Sequence, residues 1–132
     1  LEGATINTFS ALYYFELRLA DILGFRPRLD LCLSCGTPLV GGGDLPAGIQ
    51  LQSGGVVCTR CAQSIAPVRA MAPPVAAALQ RLQTLPSADS ALRLTLNVEA
   101  RREVGAILRA YLQYHVEGLR DSRAEKVFAP LM

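Results

Sequence analysis

Apolar residues recur at helical spacing in three segments of the chain, and the first segment lies at its N-terminal end. It predicts a helix from about Thr5 to Leu23, which Gly24 and Pro27 end. The stripe expected to face the core has 3-4-3 spacing and a set of flanking residues: Leu12, Phe15, Leu19 and Ile22, widened by Phe9, Tyr13, Leu17 and Ala20.

The second and third helical segments lie in the C-terminal half. Pro73 and Pro74 suit the first turn of a helix that runs to about Leu85. The last helix is expected to begin after Asn97, a favourable N-cap, and to end at Gly118. Between these two helices, residues 92–96 alternate apolar and polar side chains, and this pattern fits a short strand and a helix lead-in equally well.

The segment between the helices, about residues 28–67, has little helical periodicity and contains all four cysteines. Ile49 and Leu51 alternate with glutamines before the turn at Gly54-Gly55, and two valines follow, which predicts a β-hairpin. The expected fold is therefore mainly α, a helical domain over 1–132 with an inserted zinc-ribbon-like hairpin that carries four cysteines.

The cysteines form two C-x2-C pairs, Cys32 with Cys35 and Cys58 with Cys61. Each pair can turn two sulfurs toward one point, and the loop between the pairs is long enough to complete a tetrahedron. We interpret the four residues as the ligands of one structural Zn²⁺ ion. Iron, a redox centre, two disulfides and ordinary buried thiols are the alternatives, and iron would give a coloured protein that carries electrons.

Composition narrows the class of protein without identifying it. The chain has 132 residues, of which 51% are hydrophobic and 18% charged, so it is expected to be one globular domain and not a disordered tail. No apolar run approaches the ~20 residues that a membrane helix needs, and no export signal is visible. We therefore expect a soluble intracellular protein, and the leucine at position 1 suggests a piece of a longer chain.

The sequence offers no arrangement typical of a catalytic site. Phosphate-binding loops and nucleophile elbows are absent, and the single histidine, His115, falls in line with the apolar face of the last helix. A site closed by four thiolates would leave no position for a substrate at the metal. We expect neither an enzyme nor a small-molecule substrate.

Three ordered motifs resemble the bacterial recombination mediator family RecO. The first is Phe15-Glu-Leu-Arg-Leu19 followed by Leu23-Gly-Phe-Arg-Pro-Arg-Leu29 and Cys32-Leu-Ser-Cys35-Gly36; the second is Gly54-Gly-Val-Val-Cys58-x2-Cys61. The third is Leu108-x2-Tyr111-Leu112-x2-His115 with Leu119-Arg-Asp-Ser-Arg123 behind it. Together the motifs span nearly the whole chain.

The resemblance implies a non-enzymatic protein of DNA repair and homologous recombination. Members of the family bind single- and double-stranded DNA, anneal complementary strands, and load the recombinase RecA together with RecR. They also bind the C-terminal tail of single-strand-binding protein. They begin with an OB-fold domain, which is expected to be missing here, and they act in the bacterial cytoplasm at the nucleoid.

Candidate DNA contacts are the basic residues near the zinc hairpin and on the last helix and tail: Arg60, Arg69, Arg102, Arg109, Arg120, Arg123 and Lys126. The net charge of +2 is too small to indicate nucleic-acid binding by itself, and a solvated helix face explains any single arginine equally well. No aromatic residue stands among these arginines, so base stacking is not expected. The alternative function is a zinc-ribbon domain that binds protein partners and has no direct DNA role.

Overall fold

A computed structural model describes residues 2–40, 44–64 and 68–128, with side chains over 8–40, 44–64 and 68–118. Within these ranges, the chain forms five helices and a small three-stranded sheet. In chain order the elements are α1 (Glu2–Ile22), β1 (Gly48–Gln50), β2 (Gly55–Val57), α2 (Thr59–Ala62), β3 (Arg69–Ala70), α3 (Pro73–Thr84), α4 (Ala88–Leu92) and α5 (Val98–Phe128).

The helical layer forms because α1 contacts α3, α4 and α5, and α3 also packs on α5. The large side chains that fill this layer are almost completely buried: Leu79, Leu82, Val104, Ile107 and Tyr111. Ser10 of α1 lies fully buried among them, and its hydroxyl donates to the carbonyl of Leu94 at 2.6 Å. That bond fixes the connection between α4 and α5 against α1, because a buried hydroxyl without a partner would be costly.

The predicted helix boundaries are largely confirmed. Gly24 has a φ of +92°, and the N–H of Phe25 donates to the carbonyl of Ala20, which together end α1. The two prolines occupy the first turn of α3. Asn97 caps α5, its Oδ1 accepting from the N–H of Ala100 at 2.7 Å. The mainly helical fold with a cysteine-bearing hairpin is confirmed, and the sheet adds a strand, β3, that the sequence did not predict.

The predicted end of the last helix is wrong. Helix α5 passes through Gly118 and continues to Phe128. Nothing lies within 4 Å of the position a Cβ at Gly118 would take, and its φ is not in the left-handed region, so this glycine neither allows a close approach nor caps the helix. The ambiguous stretch at 92–96 is neither a strand nor a helical turn leading into α5, because α4 ends at Leu92 and a turn and an irregular connection follow.

The predicted core-facing stripe of α1 is wrong for its central residues and confirmed for three of its flanking ones. Leu12, Phe15, Leu19 and Ile22 are 45–81% exposed, whereas Tyr13, Leu17 and Ala20 are buried together with Tyr14. Both faces are apolar, so periodicity alone could not choose between them. The partner helix makes the choice, because a Cβ at Gly105 of α5 would lie only 2.6 Å from the Tyr13 hydroxyl. A glycine at that position therefore provides the space in which the Tyr13 ring packs.

Candidate metal centre and basic groove

The first cysteine pair lies on a tight turn. Gly36 takes a φ of +78°, and its N–H donates to the carbonyl of Cys32 at 2.8 Å. The N–H of Cys32 in turn donates to the carbonyl of Thr37 at 2.9 Å. Only a residue without a Cβ adopts such a φ without strain, so Gly36 lets the chain fold back after Cys35. The turn brings the two sulfurs of the pair together.

The second pair reaches the same point because β2 delivers it. Cys58 directly follows β2, and Cys61 lies in the short helix α2. The chain on both sides of Cys32 is hydrogen-bonded to the same strand: the N–H of Val56 donates to the carbonyl of Arg28 at 3.0 Å, and the N–H of Leu33 donates to the carbonyl of Val56 at 2.9 Å. One strand therefore holds the approach to the first pair and leads into the second.

The four sulfur atoms lie within 4.8 Å of one another, and those of Cys35 and Cys58 are 3.9 Å apart. All four thiols are free, since a disulfide would bring two sulfurs to about 2.05 Å. Cys32 and Cys58 are buried, Cys61 is half-buried and Cys35 is exposed. The prediction that the two pairs converge is confirmed, and this cluster could hold a metal ion.

The surroundings of Cys32 favour its thiolate form. Burial raises the pKa of the thiol, but three backbone N–H groups donate to the sulfur and outweigh that effect, lowering the pKa to about 6. The donors belong to Cys35, Cys58 and Ser34. Because the thiolate is the form that binds metals, these donors prepare Cys32 as a ligand.

Side chains of α3 hold the loops on both sides of the first pair. The amide nitrogen of Gln80 donates at 2.8 Å to the carbonyls of both Leu29 and Leu39. The amide nitrogen of Gln83 donates at 2.8 Å to the carbonyl of Pro27. Sequence reasoning missed these two glutamines, since their partners lie more than 40 positions away along the chain and no local pattern points to them.

A second anchor comes from α5. The hydroxyl of Tyr111 donates to the carbonyl of Phe25, and Nε2 of His115 lies 2.8 Å from the carbonyl of Leu51. The His115 ring also stacks on Phe25 with a centroid separation of 5.1 Å. Phe25 precedes the first cysteine pair and Leu51 begins the hairpin turn, so α5 fixes both arms that lead to the cysteines. His115 is thus a packed residue, as its position on the apolar face predicted.

Comparison with known proteins identifies the family. The family model for the C-terminal part of recombination protein O matches residues 1–124. The chain belongs to the RecO family. It is 36% identical over 107 residues to the DNA repair protein RecO of Anaeromyxobacter sp. strain K, covering 81% of this chain and 41% of that relative. No solved structure matches the chain.

Other RecO relatives give the same result. The protein of Frankia casuarinae is 37% identical over 107 residues, 80% of this chain and 40% of the relative. That of Roseiflexus sp. strain RS-1 is 34% identical over 126 residues, 92% of this chain and 40% of the relative. The chain therefore spans about two-fifths of the length of these relatives, and the resemblance predicted from its motifs is confirmed. Each of these relatives is named as a DNA repair protein.

The predicted DNA contacts with described side chains lie on three different elements, α2, β3 and α5. Arg60 is exposed on α2 beside Cys61, whereas Arg69 of β3 is half-buried and its guanidinium lies 3.9 Å from the Glu103 carboxylate. The side chains of Arg120, Arg123 and Lys126 lie outside the described residues.

In the part of the chain with described side chains, no helix is long and apolar enough to cross a membrane.

Arg102 and Arg109 lie together on a different feature, a groove between α1 and α5. Its lining also includes Phe9 and Tyr13 of α1 and Arg101 of α5. Sequence reasoning missed Phe9 and Arg101 as site residues, because the aromatic residue and the arginines are some 90 positions apart in the chain. No aromatic residue is close to these arginines along the sequence, but the fold brings Phe9 into the groove that they line.

Proposed function

We propose that this chain is the DNA-binding and partner-scaffolding part of a recombination mediator. The match of the RecO family model to residues 1–124 carries the proposal. The mediator would anneal complementary strands and load the recombinase together with RecR, and it would bind the tail of single-strand-binding protein. Its place of action would be the bacterial nucleoid. We propose no catalytic role for it.

The metal in the proposed function is one structural Zn²⁺ ion held by Cys32, Cys35, Cys58 and Cys61. In a tetrahedral site with Zn–S bonds of about 2.3 Å, the sulfurs would lie roughly 3.8 Å apart. The observed separations, 3.9 Å for one pair and no more than 4.8 Å for any, need only a small contraction to reach that value. Four thiolates close the coordination shell, so the ion would stabilise the fold of the insertion.

The part of each relative that this chain does not match has room for a further domain. We propose that an OB-fold domain lies in the more than half of each relative that this chain does not match. The chain itself would be a single helical domain, with the zinc-binding insertion at about 28–67. In this arrangement the helical part supplies basic surfaces and partner contacts, while the OB-fold domain supplies a groove for single strands.

The DNA contacts that the geometry supports best are Arg102 and Arg109, which share the groove between α1 and α5. Arg60 beside the metal centre is a separate candidate. Arg69 is weaker, because its ion pair with Glu103 already neutralises part of its charge. Arg120, Arg123 and Lys126 remain predictions from the sequence.

A salt titration tests the proposal. The zinc-loaded chain is titrated against a fluorescent single strand and a fluorescent duplex at several salt concentrations. We expect the logarithm of the association constant to fall linearly with the logarithm of the salt concentration, with a slope of about −0.7 for each single-strand phosphate neutralised. Removal of zinc should abolish contacts near Arg60. Binding that does not respond to salt, or no binding to either DNA, would contradict the proposal.

One observation favours the second candidate function, a zinc-ribbon domain that binds proteins without a direct DNA role. Leu12, Phe15, Leu19 and Ile22 form an exposed apolar stripe along α1, and contiguous apolar surface is typical of protein interfaces. The same titration discriminates the two functions. A chain that binds RecR with Phe15 in the interface but binds no DNA would support this second candidate.

A further inference from the structure

The groove between α1 and α5 combines an exposed aromatic ring with free cationic groups. Its volume is about 330 Å³, within the range of ligand-binding clefts. The Phe9 ring lies on the α1 side and is 37% exposed. On the α5 side stand Arg101, Arg102 and Arg109. Sites that bind single-stranded nucleic acid use this combination, with bases stacked on aromatic rings and phosphates on arginines.

The guanidinium of Arg101 lies over the Phe9 ring, with Cζ 4.9 Å from the ring centroid. The Tyr13 ring centroid is 6.1 Å from that of Phe9, but Tyr13 is buried and the two rings are tilted by 35°. The Phe9–Arg101 cation–π pair is therefore the surface that a base can reach. A base added to this surface would gain stacking area on Phe9, and its phosphate would lie within reach of the α5 arginines.

The charge balance of the groove leaves its arginines available to an anion. Among the described residues, none of the three arginines forms an ion pair. The carboxyl group that acts on the groove is Glu16, half-buried on α1; burial raises its pKa, and the nearby charge of Arg109 lowers it in part. Glu103, the next residue on α5 after Arg102, is paired with Arg69. Glu99 lies one helical turn before Arg102 but forms no ion pair with it among the described side chains. The three arginines therefore remain unpaired in that part of the chain.

The shape of the groove depends on Gly105. Any Cβ at this position would lie 2.6 Å from the Tyr13 hydroxyl and 3.1 Å from the ring carbon that carries it. Gly105 therefore leaves room for the Tyr13 ring against α5, and the Tyr13 ring in turn neighbours that of Phe9. Phe9 is held at the surface by its neighbours on both helices, so its ring is positioned before any ligand arrives.

We infer that this groove binds a single nucleic-acid strand, stacking a base on the Phe9–Arg101 pair and holding the adjacent phosphates with Arg102 and Arg109. The inference rests on the proposed function and deepens it, because it assigns single-strand binding to the helical part of the chain. An acidic peptide would use the arginines but would gain nothing from stacking, and this difference separates the two ligand classes experimentally.

The test measures fluorescence anisotropy of a labelled oligo-dT with the zinc-loaded chain and two matched variants. Phe9→Leu keeps an apolar side chain but removes the aromatic face, and we expect it to weaken binding roughly five- to a hundredfold. Tyr114→Leu, which removes an aromatic face at an exposed position of α5 outside the groove, should leave affinity unchanged. Far-UV circular dichroism checks that both variants fold.

Two further measurements complete the test. Arg102→Gln with Arg109→Gln should reduce the salt slope by about 1.4, whereas Arg81→Gln on α3 should not change it. An abasic oligonucleotide of the same length should bind the wild-type chain more weakly than oligo-dT does. Phe9→Leu should bind the abasic oligonucleotide as tightly as the wild-type chain does. The comparison of the two oligonucleotides on the wild-type chain alone detects stacking.

The outcomes distinguish the inference from the proposed function. If the chain binds DNA with a steep salt dependence but Phe9→Leu and the abasic strand behave as the references do, the inference is overturned and the proposed function stands. If polyglutamate displaces oligo-dT equally well from wild type and from Phe9→Leu, the groove is a site for acidic peptides and the inference is again overturned. No binding to any DNA overturns both.

Discussion

The hydrogen bond from Tyr111 to the carbonyl of Phe25 joins α5 to the loop that leads to the cysteines, and Tyr111→Phe removes it alone. The Tyr111 side chain is only 1% exposed, and the variant keeps the ring and its packing. The loss leaves the carbonyl of the half-buried Phe25 without this partner. A buried acceptor left unsatisfied costs about 1–3 kcal/mol of unfolding free energy.

Thermal and urea denaturation measure this cost. For a chain of 132 residues, each kcal/mol lowers Tm by roughly 3–5 °C, so a decrease of about 3–15 °C is expected, with an unchanged urea m-value. Tyr114→Phe is the matched control, because Tyr114 lies on the same helix but is 45% exposed. Its effect should stay within about 0.5 kcal/mol. Equal stabilities of the two variants would refute the anchoring role of Tyr111.

Three further predictions follow from burial and backbone geometry. Burial raises the pKa of Tyr111 to about 12, so the stability that its neutral hydroxyl contributes should be fully present below pH 10 and should be lost as pH rises toward 12. Tyr111→Phe should lack this part of the decline in alkaline denaturation curves. Leu17→Ala should cost about 2–5 kcal/mol in urea denaturation, whereas Leu12→Ala on the other face of the same helix should cost less than about 1, and similar costs would contradict the assignment of the α1 faces. Gly118→Ala should stabilise the chain by about 0.5–1 kcal/mol, because it lies inside α5 with open space around it, and a loss of stability would indicate that the helix ends there.

The parts of the fold that could be predicted are those set by local chemistry. Gly24 and Asn97 mark helix ends because each satisfies backbone groups within a few residues. The cysteine cluster was predictable for the same reason, since C-x2-C spacing places two ligands on one turn and Gly54-Gly55 reverses the chain toward the second pair. Helix type and approximate limits required no knowledge of tertiary contacts.

The parts that could not be predicted depend on what each element packs against. Helix α1 has two apolar faces, and the choice of the Tyr13 face depends on the space left by Gly105 of α5. The meeting of Phe9 with Arg101 is likewise a consequence of how two distant helices cross. Gly118 looked like a helix end because glycine is common there, but no left-handed residue or competing contact ends α5 at that point.

Metal content and thiol state of the purified chain, measured together by native mass spectrometry and alkylation, test most directly the claim that four cysteines hold one structural zinc ion. We expect one Zn²⁺ per chain, a colourless protein, and four thiols that react with iodoacetamide only after the metal is chelated. Chelation should also unfold the 28–67 insertion, because the binding energy of a structural zinc is folding energy. A folded, metal-free chain with disulfides between the cysteines, or one with bound iron, would contradict it.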